Sequence, residues 1–138
     1  MLVKDAINYS SVIKSIIDNA TDVSPLVKFK LLGMAKQLEP IVANFETVRN
    51  ENIYKYGTIN DNGGASIVEP KRESYDTDEE FNDAMNKYKE IVTKINEDLK
   101  KVLNSDVDVQ INKFKYDEII DAGVSADYLL SLYELIEQ

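Results

Sequence analysis

The chain has 138 residues, a formal net charge of −9, an apolar fraction of 43%, and no histidine or cysteine. This length predicts one domain with its own core, and no apolar run approaches the ~20 residues that span a membrane. The missing side chains include the commonest general base, the thiolate nucleophile and the usual nitrogen and sulfur metal ligands. The composition therefore favours a non-catalytic protein without a cofactor or a bound metal.

The acidic charge is concentrated in the later part of the chain. Residues 1–56 carry seven basic and six acidic side chains, whereas residues 57–138 carry nine basic and 19 acidic ones. Such a surface repels a phosphate backbone, so direct binding of nucleic acid is not expected. Two interpretations remain, a solubilising surface and a surface for a basic protein partner. The N-terminus lacks the plan of a secretory signal, which together with the absence of cysteine predicts a cytoplasmic location.

Helical spacing of apolar residues predicts a first helix over residues 5–19 and a second over residues 25–56. Ser24 can accept a hydrogen bond at the start of the second helix, where Pro25 is tolerated in the first turn. Gly57 is a suitable C-terminal stop. The second pattern is long for a chain of this size.

Pro40 lies near the middle of the second helical pattern. It has no N–H to donate to the carbonyl of Lys36, and its ring crowds the preceding turn. Because the apolar pattern continues on both sides, a kink is predicted here rather than an end of the helix.

A β-hairpin and a third helix are predicted next. Gly63 within "NDNGG" permits a tight turn, so residues 56–69 are interpreted as a hairpin. Thr77 and Glu80 have the spacing of a capping box at the start of a helix over residues 78–104. Apolar residues again recur at helical spacing along this segment.

The last two predicted elements are a strand over residues 106–112 and a helix over residues 126–137. "VDVQINK" alternates apolar and polar residues, which is typical of a half-buried strand. At 1.5 Å per residue the second and third helices are about 48 and 40 Å long. These elements together predict an α+β fold, mostly α, in which a kinked, long antiparallel helical hairpin carries a small β-sheet and terminal helices.

The acidic stretch from residue 73 to residue 83 is the candidate binding site. It lacks the glycine turn and the late glutamate of a calcium loop, so a solvated helix cap or a partner surface is favoured over a metal site. Tyrosine is common in interface hot spots, so Tyr75 is included with the acids as a candidate partner-binding residue. The candidate partner-binding residues are Glu73, Tyr75, Asp76, Asp78, Glu79 and Asp83.

Several stretches resemble small, uncharacterised helical proteins of tailed bacteriophages. They are "FETVRNENIYKYG", "EEFNDAMNKY", "VDVQINKF" and "SADYLLSLYELI", from a region running from about Ser24 to the end of the chain. The N-terminal helix and the longer third helix depart from that family's pattern. The resemblance implies a phage origin, the cytoplasm of a bacterial host as location, and an accessory or assembly role. It carries over no site residue.

The sequence thus leads to a hypothesis of protein binding, with inhibition of a host or defence factor as the outcome. An assembly or virion component, which would form a homo-oligomer or bind neighbouring proteins, is the alternative. A protein that sequesters a small molecule is the third candidate.

Overall fold

The computed structural model describes residues 1–138 and has an α+β fold that is mostly α, which confirms the predicted class. None of its helices is both long and apolar enough to cross a membrane. The helices are α1 (Val3–Asn19), α2 (Pro25–Tyr56), α3 (Asp78–Leu103), α4 (Tyr116–Ile119) and α5 (Ala126–Ser131), with β1 (Thr58–Ile59), β2 (Ala65–Ser66) and two short 3-10 turns, Arg72–Ser74 and Tyr133–Leu135.

The chain forms two compact units. Unit 1 comprises Met1–Asn44 and Asn104–Gln138, and unit 2 comprises Phe45–Leu103. The predicted single domain over residues 1–138 stays a prediction, which a single transition in thermal unfolding would support.

Unit 1 contains nearly all of the fully buried apolar side chains. Its core is a layer in which the apolar stripes of α1 and α2 pack tightly together and are closed by side chains from the C-terminal segment. The best-buried large members are Ile13, Ile16, Val27, Leu31, Leu38, Phe114, Ile119 and Leu132. The helical periodicity of α1 and of the first half of α2 is explained by this shared burial.

Helix α2 begins as the sequence indicates. The Ser24 hydroxyl accepts a long hydrogen bond of 3.4 Å from the Val27 amide. The helix then continues through Pro40 to Tyr56 without interruption. Pro40 therefore does not end the helix, and the kink stays a prediction.

The strand predicted over residues 106–112 is wrong. This segment is extended, but its only β pairing is one isolated bridge between Asp106 and Leu2. Next to the bridge, the Val107 amide donates a 2.9 Å hydrogen bond to the Met1 carbonyl. No neighbouring strand lies beside the rest of the segment, so a ladder cannot form. The alternation did identify the buried face, because Val107, Val109 and Ile111 pack against the unit 1 core.

The helix predicted over residues 126–137 is too long, because α5 ends at Ser131. Beyond it, Ile136 pairs with Phe114 in a parallel bridge. The Phe114 amide donates to the Leu135 carbonyl, and the Glu137 amide donates to the Phe114 carbonyl, both at 2.8 Å. A 3-10 turn, Tyr133–Leu135, follows α5, and these two hydrogen bonds then pair the extended backbone at Ile136 with Phe114.

Unit 2 contains the antiparallel pairing of α3 with the last turns of α2. Val48 lines one hollow with Val102, whereas Tyr56 lines another with Tyr88, near the opposite end of α3. Ile95, 7% exposed, is the single buried apolar residue of this unit. The rest of the α3 stripe is half-buried, so unit 2 has a thin core.

The small sheet and the start of α3 also lie in unit 2. Strands β1 and β2 are antiparallel and pair Thr58 with Ser66. Gly63 has a positive φ of 84° in the connecting turn. The Glu80 amide donates to the Thr77 hydroxyl at 3.2 Å, which is the first half of the predicted capping box.

Candidate protein-binding site

The acidic stretch is exposed and extended along the chain. Glu73 lies in the first 3-10 turn, Asp76 precedes α3, and Glu79 and Asp83 lie in the first turns of α3, all four exposed. Asp78 is also exposed, but it accepts a 2.7 Å hydrogen bond from the guanidinium of Arg72. Arg72, just outside the stretch, therefore neutralises one of the candidate acids.

Tyr75 differs from the other candidate residues because it is half-buried. Its ring lies 6.0 Å from the ring of Phe81 at an angle of 58°. Its carbonyl accepts a 2.6 Å hydrogen bond from Arg72. Tyr75 thus takes part in local packing at the start of α3 and is not a free aromatic anchor. The stretch does not gather three carboxylates into a group that could hold a metal ion.

A concave apolar surface lies in unit 1 and is formed by none of the residues of the predicted stretch. We call it the C-terminal groove. It has a volume of about 630 Å³ and is formed by α4, α5 and the turn after α5. Its main apolar side chains are Tyr116, Ile119, Ile120, Leu129, Leu130 and Tyr133.

The backbone around Phe114 and Gly123 fixes the walls of the groove. The bridge between Phe114 and Ile136 holds the turn after α5 beside the start of α4. Gly123, with φ of 87°, turns the chain between α4 and α5. Two very short helices can therefore present their apolar side chains toward each other across an open gap.

The groove exposes apolar area that the core does not need. Leu130 is 74% exposed and Tyr133 is 53% exposed, although the neighbouring Leu132 is fully buried. A well-packed core directly beneath the surface means that these side chains are not left over from poor packing. Contiguous exposed apolar surface of this kind is characteristic of interaction sites.

The segment that forms the C-terminal groove carries charge of one sign. Residues 116–138 contain six acidic side chains and no lysine or arginine. Glu137 lines the groove, and Asp121 and Glu134 each follow a lining residue in the sequence. An occupant with apolar side chains and flanking positive charges would match both the shape and the charge.

A second exposed apolar surface lies on the first turns of α2, and we call it the Phe29 face. Phe29 is 76% exposed, and Leu26 and Leu32 are exposed on the same side of the helix. Lys28 and Lys30 lie on the two flanks of this stripe, at helical spacing. No acidic residue occurs between Pro25 and Leu38, so this face is basic.

An ion pair joins the two surfaces. The ammonium group of Lys30 donates a short hydrogen bond to the carboxylate of Glu118 on α4. This hydrogen bond, with the positive charge of Lys30, holds the pKa of Glu118 below its usual value despite the opposing effect of desolvation. The contact places the start of α2 next to the helix that forms one wall of the groove.

We expect this ion pair to make stability depend on pH in acid. Because the pKa of Glu118 is lowered in the folded state, its contribution is present above the unfolded value of roughly 4.3 and is lost as pH falls through the folded value. The difference in unfolding midpoint between the wild type and Glu118→Gln should therefore be constant near neutral pH and shrink below about pH 4.5. Thermal melts followed by circular dichroism measure this difference.

Glu39→Gln, which removes an exposed carboxylate of α2, controls for the loss of one negative charge. A wild-type advantage over Glu118→Gln that persists unchanged to about pH 3 would contradict the assignment.

Comparison of the chain with protein-family models, with curated proteins and with solved structures finds no match. The assignment of the candidate site therefore rests on the geometry and charge of the C-terminal groove and the Phe29 face.

Proposed function

We propose that the chain is a non-catalytic accessory protein of phage type that acts by binding another protein. The observation that carries the proposal is the C-terminal groove, which is concave and apolar and is formed by a segment, residues 116–138, whose charged side chains are all acidic. Helix-in-groove recognition uses this combination, since apolar anchors fill the groove and charges around it select the partner. Inhibition of a bacterial host or defence factor is the outcome that the phage resemblance suggests testing first.

The acidic stretch from Glu73 to Asp83 is proposed as a secondary contact. Its exposed carboxylates would raise the encounter rate with a basic partner, and added salt would reduce that gain. Affinity itself would come from the groove, because exposed charge pairs contribute little.

Assembly is the second candidate function, and the Phe29 face favours it. An exposed phenylalanine flanked by lysines on the same unit as an acidic apolar groove gives the chain two complementary surfaces. Two complementary surfaces on one chain allow contacts between copies, or with neighbours in a particle, in which unlike surfaces meet.

We expect Leu130→Glu to abolish capture of the partner while the chain stays folded. Leu130 is largely exposed, so the change costs little stability, but it places a charge where an apolar anchor would bind. Immobilised wild type and variant are incubated with lysate of the bacterial host, and a captured protein is then purified and titrated against both.

Ile59→Glu is the matched control, because Ile59 is an exposed apolar residue of β1 outside the groove. The proposal requires binding by this control and at least ~10-fold weaker binding by Leu130→Glu. Equal binding by the two variants would exclude the groove as the binding site.

A further inference from the structure

We propose that the C-terminal groove binds the Phe29 face of a second copy of this chain. The inference rests on the proposed protein-binding function and names the partner. It assigns a definite occupant to the groove, namely the first turns of α2, with Phe29 as the central anchor.

The distribution of exposed apolar side chains is the first support. Eleven large apolar residues of the chain are exposed, and seven of them belong to these two surfaces of unit 1. Three lie on the Phe29 face and four lie in the groove. Unit 1 also contains almost all of the buried core. Its exposed apolar side chains are concentrated on two surfaces and are not scattered singly.

Charge complementarity is the second support. The first fourteen residues of α2 carry three lysines and no acid, whereas the segment that forms the groove carries six acids and no base. Lys30 already pairs with Glu118 within one copy. Lys28 and Lys36 are exposed on the same turns and would face the acids around the groove of the other copy.

The shape of α2 is the third support. Gly33 lies on the exposed side of the helix, and a methyl group added there would meet no atom within 4 Å. Glycine inside a helix costs about 1 kcal/mol relative to alanine, and nothing within this chain requires it. The missing side chain leaves a gap next to Phe29 that lets another chain approach the helix backbone closely.

The ion pair between Lys30 and Glu118 places the two surfaces side by side on unit 1. Each copy can therefore offer its Phe29 face and its groove together to one partner. A two-fold interface uses each surface once from either copy, so the same contact forms twice and the assembly closes as a dimer.

Sedimentation velocity of the full chain tests the inference. At low salt and roughly 100 µM protein the wild type should sediment as a dimer, and added salt should weaken the association because charges help to form it. The variant Lys28→Glu/Lys36→Glu and the variant Asp121→Lys/Glu137→Lys should each be at least ~10-fold weaker. Their circular dichroism spectra and unfolding midpoints establish that they are folded.

Mixing the two variants is the decisive arm. Each variant alone opposes like charges, but the mixture again sets negative groups against positive ones at both contacts, so dimers should return. A wild type that stays monomeric at low salt, or a mixture that stays monomeric, would overturn the inference. A monomeric wild type that still captures a different protein through Leu130 would leave the proposed function standing without it.

Discussion

Replacing Phe114 with alanine is expected to lower the free energy of unfolding by about 3–5 kcal/mol. The Phe114 side chain is fully buried and is among the largest in the unit 1 core. Removing the ring loses its burial and leaves a cavity between helices that cannot fully close. Urea denaturation followed by circular dichroism measures the loss.

The position of Phe114 adds a second consequence. Its backbone holds the turn after α5 through hydrogen bonds to Leu135 and Glu137. Loosening this residue should therefore open the C-terminal groove as well as reduce stability, and Phe114→Ala should bind a partner more weakly than its folded fraction alone explains.

Phe29→Ala is the matched control, because it removes the same ring from a site that is 76% exposed. At a concentration where the chain is monomeric, its loss should stay within about 0.5 kcal/mol. Similar losses for the two variants would mean that Phe114 does not belong to the core.

Gly123→Ala is expected to lower the free energy of unfolding by about 3 kcal/mol or more. Gly123 has a φ of 87°, a region where a side chain costs roughly 1–2 kcal/mol. A methyl group there would also lie 2.2 Å from the carbonyl oxygen of Asp22, which is backbone and cannot rotate away. The adjacent hydrogen bond from the Ser24 amide to the Ala122 carbonyl, 2.8 Å long, would be strained by any shift.

Gly63→Ala separates the two contributions. Gly63 has nearly the same φ, 84°, but nothing lies within 4 Å of an added methyl group. The Gly63→Ala variant should lose about 1–2 kcal/mol in free energy of unfolding, which is the conformational cost alone. Thermal and urea unfolding of the two variants give the comparison, and equal losses would show that the close approach to Asp22 is relieved at no cost.

The sequence was most informative where one pattern was long and locally determined. Helices α2 and α3 follow from their apolar periodicity and from the local hydrogen bonds made by Ser24 and Thr77 at their first turns. The secondary structure of residues 106–112 was less predictable. Alternation of apolar and polar residues shows which face is buried, but it does not show whether a neighbouring strand exists. The extended backbone at Ile136 was missed for a related reason, since its pairing residue, Phe114, is distant along the chain.

The candidate site shows the same contrast between features that are local in the sequence and features assembled from separate segments. The acids from Glu73 to Asp83 stand out because they are close in sequence. However, Arg72 pairs with Asp78, and the neighbouring candidate Tyr75 packs against Phe81. The C-terminal groove is formed by separate short segments and could not be assembled from periodicity. One signal was present, namely six acids without a base after Lys115, interleaved with apolar and tyrosine residues.

The division of unit 1 into two segments has a consequence for synthesis on the ribosome. The whole of unit 2 is translated between α1 with the first half of α2 and the segment that contains Phe114. Unit 2 depends on local contacts, so it can form early, whereas the long-range contacts of unit 1 must wait. Until Phe114 and Leu132 emerge, Ile13, Ile16 and Leu31 lack part of their apolar packing, so we expect the nascent chain to be prone to aggregation at that stage.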